Sequence, residues 1–60
     1  MAKIWKKRIE ARTQKFMDCP YKYKDEVLEL MREDVLKGNK TPNGEVMTPE
    51  LFYELTDVYY

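Results

Sequence analysis

The stretch YKYKDEVLELMREDVLKG, Tyr21–Gly38, decides the fold of this chain. Val27, Leu28, Met31 and Val35 recur at helical spacing and Tyr23, Leu30 and Leu36 widen the stripe, so a helix over about 20–37 has one face built for burial. Gly38 supplies the left-handed position that closes a helix, Asn39 follows it, and Lys37 in the last turn suits the helix dipole. At the other end Asp18 or Cys19 is placed to cap the helix, with Pro20 tolerated in its first turn.

Working outward from this element, Ala2, Trp5, Ile9 and Phe16 are spaced by three, four and seven, with Ile4 and Met17 alongside. The pattern predicts a first helix over about 3–17. No Ser, Thr, Asp or Asn caps it and cations crowd its first turn, so packing of Trp5 and Ile9 has to hold it. Pro20 removes a backbone donor and steers Cys19 out of the helical region, which ends that helix by about Met17. Past Gly38, Thr41-Pro42-Asn43-Gly44 is a strong turn signal inside an ordered loop at 39–47, with flanks too short for a stable sheet. Thr48-Pro49-Glu50 then opens a third helix over about 48–59: cap, proline at the first helical position, acid in the first turn. Met47 and Phe52 are spaced as a hydrophobic staple, and Leu51, Phe52, Leu55, Val58 and Tyr59 form the apolar stripe. The fold class is all-α, a single three-helix domain over 1–60 with the second helix as its central layer.

A 60-residue chain hides only about 60% of the surface its unfolded form exposes, so stability is marginal and self-association as a homodimer would relieve it. Hydrophobic residues are 43% and charged residues 37% of the chain, a globular composition. Eleven basic and eleven acidic side chains leave no net charge, but they are segregated. Residues 1–17 carry six bases (Lys3, Lys6, Lys7, Arg8, Arg12, Lys15) against Glu10, whereas residues 41–60 carry Glu45, Glu50, Glu54 and Asp57 and no base. The simplest expectation is that the two ends fold against each other and neutralise. A single cysteine and no histidine exclude an internal disulfide and a Cys/His zinc site, which points to an intracellular, cytoplasmic setting. No apolar run approaches the roughly 20 residues of a membrane span, and no apolar segment follows the first basic residues as a signal peptide requires.

Catalytic groups are scarce. Cys19 has only Asp18 beside it, which would raise a thiol pKa, and it reads as a small, partly buried residue near a cap. Glu26, Glu29 and Glu33 share a helix face, but Glu33–Lys37, Glu29–Arg32 and Lys22–Glu26 at helical spacing make that face one of solvated ion pairs rather than a metal site. No cofactor and no metal is expected, and the chain is not expected to be an enzyme.

Two surfaces are candidates for binding. Tyr53, Glu54, Asp57, Tyr59 and Tyr60 place tyrosines among acids at a helix edge, a composition suited to a protein interface, and Tyr21 and Tyr23 extend it if the second and third helices are neighbours. Lys3, Trp5, Lys6, Lys7, Arg8 and Arg12 could neutralise phosphates while the indole stacks on a base, or could lie on an anionic membrane. The acidic second helix is a poor recognition helix for a major groove. The reading that follows is a small non-enzymatic interaction module that regulates or inhibits a larger partner protein, with a nucleic-acid-binding accessory protein as the alternative. In size and class the chain resembles the small accessory proteins of phages and mobile elements, a likeness that no motif carries.

Overall fold

Ile9, Val27, Met31, Met47 and Phe52 have almost no contact with solvent, and they come from three helices and the loop before the last. In the computed structural model, which describes all 60 residues, the helices are α1 (Ala2–Glu10), α2 (Tyr21–Lys37) and α3 (Pro49–Thr56). A 3₁₀ turn at Phe16–Asp18 joins α1 to α2. Both α1 and α3 lie against α2, which is the central layer, and α3 also meets the 3₁₀ turn. The chain is an all-α, three-helix domain with no strand, and the loop holds only an isolated antiparallel bridge between Lys40 and Val46. The largest dimension is 26 Å.

The core follows the periodicities of α2 and α3. Val27 and Met31 project from α2, and Leu51 and Phe52 from α3. Met47 sits before the cap of α3 and is buried with Phe52, as a staple requires. Thr48 Oγ1 accepts the Leu51 amide at 3.1 Å and Pro49 takes the first helical position, so this N-terminus matches its sequence signals fully. Arg32 stands 5.1 Å over the ring of Phe52 and Tyr60 packs edge-on to it at 5.5 Å, closing the core from outside. Leu36, which the α2 stripe includes, is instead 80% exposed, because it falls on the side of the helix away from both neighbours.

The first helix ends at Glu10, seven residues before the expected boundary at 17. Arg12 adopts a left-handed conformation (φ 65°), the Thr13 amide donates to the Arg8 carbonyl and the Arg12 amide to the Ile9 carbonyl, both at 3.0 Å. These are the two bonds of a Schellman closure, made here by an arginine where glycine is usual. Phe16 still reaches the core, from the 3₁₀ turn rather than from the helix, and Met17 is left exposed. The same pair of bonds closes α2 at Gly38 (φ 66°). Asp57 (φ 60°) ends α3 at Thr56 with its amide on the Tyr53 carbonyl, so Val58 and Tyr59 lie beyond the helix predicted to run to 59. At the start of α2 the capping position is held by Pro20, with no side-chain cap. Asp18 is engaged instead by the Lys15 amide at 3.3 Å, and Cys19 is buried in the core.

The loop after Gly38 is a tight reversal. The Gly44 amide donates to the Thr41 carbonyl at 2.9 Å, Thr41 donates back to Glu45 at 2.7 Å, and Gly44 takes a positive φ of 85°. Thr41 Oγ1 accepts from both the Asn43 and Glu45 amides, and Asn43 Nδ2 donates to the Ala11 carbonyl, which fastens the turn to the end of α1.

Two variants test this description. Phe52→Ala should cost about 3–5 kcal/mol, comparable with the 3–9 kcal/mol or so that a domain of this length possesses. The cooperative thermal transition should therefore vanish, and a variant that still melts within a few degrees of the parent would show the core to be centred elsewhere. Arg12→Gly should melt above Arg12→Ala, since both lose the arginine's ion pairs and only glycine relieves the left-handed backbone; the reverse order would contradict the Schellman closure.

Candidate functional site

Two regions hold the side chains from which a site could be built: the groove where α1 crosses α2, and the tyrosine face at the carboxyl end. The groove starts from register. Asp34 lies on the buried stripe of α2, three residues past Met31, and Glu10 follows Ile9 on the buried side of α1. Lys6, one turn before Glu10, reaches Asp34 Oδ2 with its ammonium at 2.8 Å, and Asn39 Nδ2 donates to Asp34 Oδ1 at 3.0 Å. Burial pushes the Asp34 carboxyl upward, but the hydrogen bonds from Asn39 and Glu10 and the Lys6 charge outweigh it and hold the group below its usual range.

Glu10 is only 3% exposed, and its Oε2 is buried with no hydrogen-bond donor within reach. Burial and the adjoining Asp34 carboxylate raise its pKa to about 7, against a smaller opposing effect of Lys6. Next to the Asp34 carboxylate and out of water, Glu10 is favoured in its protonated form. Above these acids is a groove of about 630 Å³, walled by Lys3, Ile4, Lys6 and Lys7 of α1, Leu30, Glu33 and Asp34 of α2, and Lys40, Thr41 and Pro42 of the loop. Glu33 is paired with Lys37 at 2.7 Å, whereas Lys3, Lys7 and Lys40 form no ion pair.

The six residues expected to contact nucleic acid do not present one surface. Lys6 is committed to Asp34. Arg12 donates in a fork to Glu45 (3.3 and 3.2 Å) and also to Glu54 (3.2 Å), which joins the end of α1 to the loop and to α3. Trp5 packs against the core with the Arg8 guanidinium 5.3 Å above its ring, so one face of the indole is already occupied. Only Lys3 and Lys7 extend freely, and they do so beside Lys40, which lies outside the expected basic segment. The ends of the chain thus neutralise each other through Arg12 alone, and the other cations stay apart from the acidic tail. On α2 the Glu33–Lys37 pair forms, but Glu29–Arg32 and Lys22–Glu26 do not. Arg32 is drawn instead to Phe52 and the Tyr59 carbonyl, and Lys22 lies over Tyr23.

The tyrosine face is also redistributed. Tyr53 and Tyr59 stack with ring centroids 5.0 Å apart and planes 24° from parallel. Tyr59 is 83% exposed, so this pair stands on the surface. The charge of nearby Asp57 raises the Tyr53 phenol pKa, which keeps it a hydrogen-bond donor. Tyr60 packs edge-on to Phe52 while staying 42% exposed, and Glu54 is taken by Arg12. Tyr23 packs against the core while Tyr21 is exposed. Beside Asp57 a cleft of about 300 Å³ opens between α3 and the 3₁₀ turn, with Phe16, Met17 and Leu55 in its walls. The Cys19 thiol is buried and pushed up by that burial, with Lys24 opposing, which makes it a poor nucleophile. No helix is long and apolar enough to cross a membrane.

Comparison with protein-family models, with curated proteins and with solved structures finds no match to this chain.

The buried Glu10 carboxyl makes stability depend on pH. Between about pH 4.5 and about 7 the folded chain keeps a proton on Glu10 that the unfolded chain releases, so stability falls as pH rises through this window. The loss should be on the order of 3 kcal/mol. Asp34 acts in the opposite sense, its contribution disappearing as pH falls through its lowered pKa, so thermal stability should peak at about pH 4–5. Glu10→Gln should flatten the decline toward neutrality. A parent melting temperature that rises or stays level from about pH 5 to about pH 7.5 would refute the buried-proton assignment.

Proposed function

We propose that this chain is a small, non-enzymatic, intracellular interaction module that binds a larger protein through the Tyr53–Tyr59 face and regulates or inhibits it. The observation that carries this reading is the stacked, solvent-facing pair of tyrosines next to Asp57 and the cleft bounded by Met17 and Leu55. Tyrosine gives a partner large contact area at low entropic cost, and a cleft next to it can seat one anchoring side chain. Asp57 adds a charge that sets orientation and on-rate. Absence of histidine from the chain and the burial of its one thiol support a binding rather than a catalytic role. Arg32 and Arg12 support the face from beneath, one through the Tyr59 carbonyl and the other through Glu54.

The test is affinity capture from cells that naturally contain the protein, comparing the parent with Tyr53→Ser/Tyr59→Ser. Both substituted side chains lie at the surface, so the variant should keep its helical circular dichroism and lose the captured protein, a loss of at least about tenfold in affinity when measured with the purified pair. Unchanged capture by the folded double variant would overturn the assignment of this face. Capture of a second copy of the chain alone would replace the larger partner by a homodimer.

A further inference from the structure

The groove between α1, α2 and the loop after Gly38 is independent of the tyrosine face, and its about 630 Å³ is within the range of small-ligand sites. The acids facing it are already met inside the protein: Asp34 by Lys6 and Asn39, Glu33 by Lys37, and buried Glu10 by a proton that it keeps up to near neutral pH. Lys3, Lys7 and Lys40 are not, and they line the groove from a helix and a loop with no internal counter-ion. The field left at the mouth therefore favours an anion. Between the lysines, Ile4, Leu30 and Pro42 offer apolar wall, and Ile4 is 46% exposed with nothing packed over it.

We propose that this groove binds a small phosphate-bearing molecule, its phosphates on Lys3, Lys7 and Lys40 and an apolar or aromatic ring against Ile4, Leu30 and Pro42. A nucleoside diphosphate has the size and the division of chemistry that the groove requires. The open groove is suited to one such molecule rather than to a continuous strand, because Lys6 and Arg12, which would extend a cationic track along α1, are consumed by Asp34, Glu45 and Glu54. Glu10 makes occupancy proton-linked. It is faced by Lys6 of its own helix and Asp34 of α2, and shares the groove with Glu33, Lys40 and Thr41, so ionising it adds one uncompensated negative charge beneath the anion.

The experiment is a titration of the ¹⁵N-labelled chain, followed by amide shifts, with pyrophosphate, with ADP and with a short single-stranded oligonucleotide at about pH 6 and about pH 8. Pyrophosphate and ADP should each give saturable shifts confined to residues 3–10 and 30–42, with ADP the tighter. Lys7→Glu and Lys40→Glu should each weaken ADP by at least about tenfold without loss of helical signal. The parent should lose more affinity between the two pH values than Glu10→Gln does, the ligand's own titration being common to both proteins. No saturable shift at millimolar ADP, binding indifferent to Lys40→Glu, or binding of the oligonucleotide alone would overturn the proposal. ADP no tighter than pyrophosphate would overturn its ring contact. The titration contains no protein partner, so its failure leaves the tyrosine face untouched.

Discussion

Asp34 is the residue on which the assembly depends. Its carboxylate holds the Lys6 ammonium of α1 and the Asn39 amide of the loop, while its backbone carbonyl accepts the Asn39 amide that helps close α2. Asn39, held on both sides, accepts the Met47 amide with its own carbonyl at 2.9 Å. That bond delivers Met47 to the core and Thr48 to the point where α3 begins. One buried carboxylate therefore sets the seat of α1, the end of α2 and the start of α3. Removing it would leave a half-buried ammonium and an unpaired amide at the α1–α2 contact, which is more damaging than breaking a fully exposed pair.

The three helices end in the same way by different residues. Gly38, Arg12 and Asp57 all take left-handed conformations. Gly38 needed no structure to identify, since glycine adopts that conformation without strain. Arg12 and Asp57 are ordinary helical residues by propensity, and the sequence pattern runs on through both of them. At Arg12 tertiary bonds decide otherwise, since its guanidinium is gripped by Glu45 and Glu54; at Asp57 the bonds are local, the Thr56 hydroxyl donating to the Phe52 carbonyl and accepting the Val58 amide as the chain leaves the helix. This is why the existence, order and packing of the helices were legible from periodicity and capping residues, while two of their boundaries were not. For α1, a local pattern cannot register a constraint imposed from 33 or 42 residues away; for α3, apolar periodicity does not register a side-chain hydroxyl that competes for the backbone of its own last turn.

The binding surfaces were legible to a similar depth. Composition identified tyrosines and lysines as available, and the fold sorted them. Trp5 was drawn into packing, Tyr60 packs one edge on Phe52, Arg12 and Lys6 were taken by ion pairs, and what remains free is the stacked pair of Tyr53 on α3 and Tyr59 just past its end, and Lys3 with Lys7 on α1. The groove itself had a signal in the sequence that charge counting passes over. Asp34 and Glu10 sit at positions that helical register assigns to the buried side, and a carboxyl placed there must find a partner or keep its proton. Lys40 could not have been joined to them by any pattern, because its position depends on the turn at Thr41–Gly44.

Protonation, occupancy of the groove and folding are coupled at similar strength in this molecule. Ionising Glu10 costs the fold on the order of 3 kcal/mol, taken from a total of about 3–9 kcal/mol in a chain of this length. A ligand that binds only the folded chain returns about 2.7 kcal/mol at a concentration one hundred times its dissociation constant. An anion over Lys3, Lys7 and Lys40 makes Glu10 harder to ionise, and by reciprocity a proton on Glu10 tightens the anion. Neither effect requires a helix to move, since the shared groups already face one another across the α1–α2 contact. Near neutral pH, where Glu10 titrates, the groove is therefore set so that a bound phosphate restores to the domain the stability that the departing proton removes.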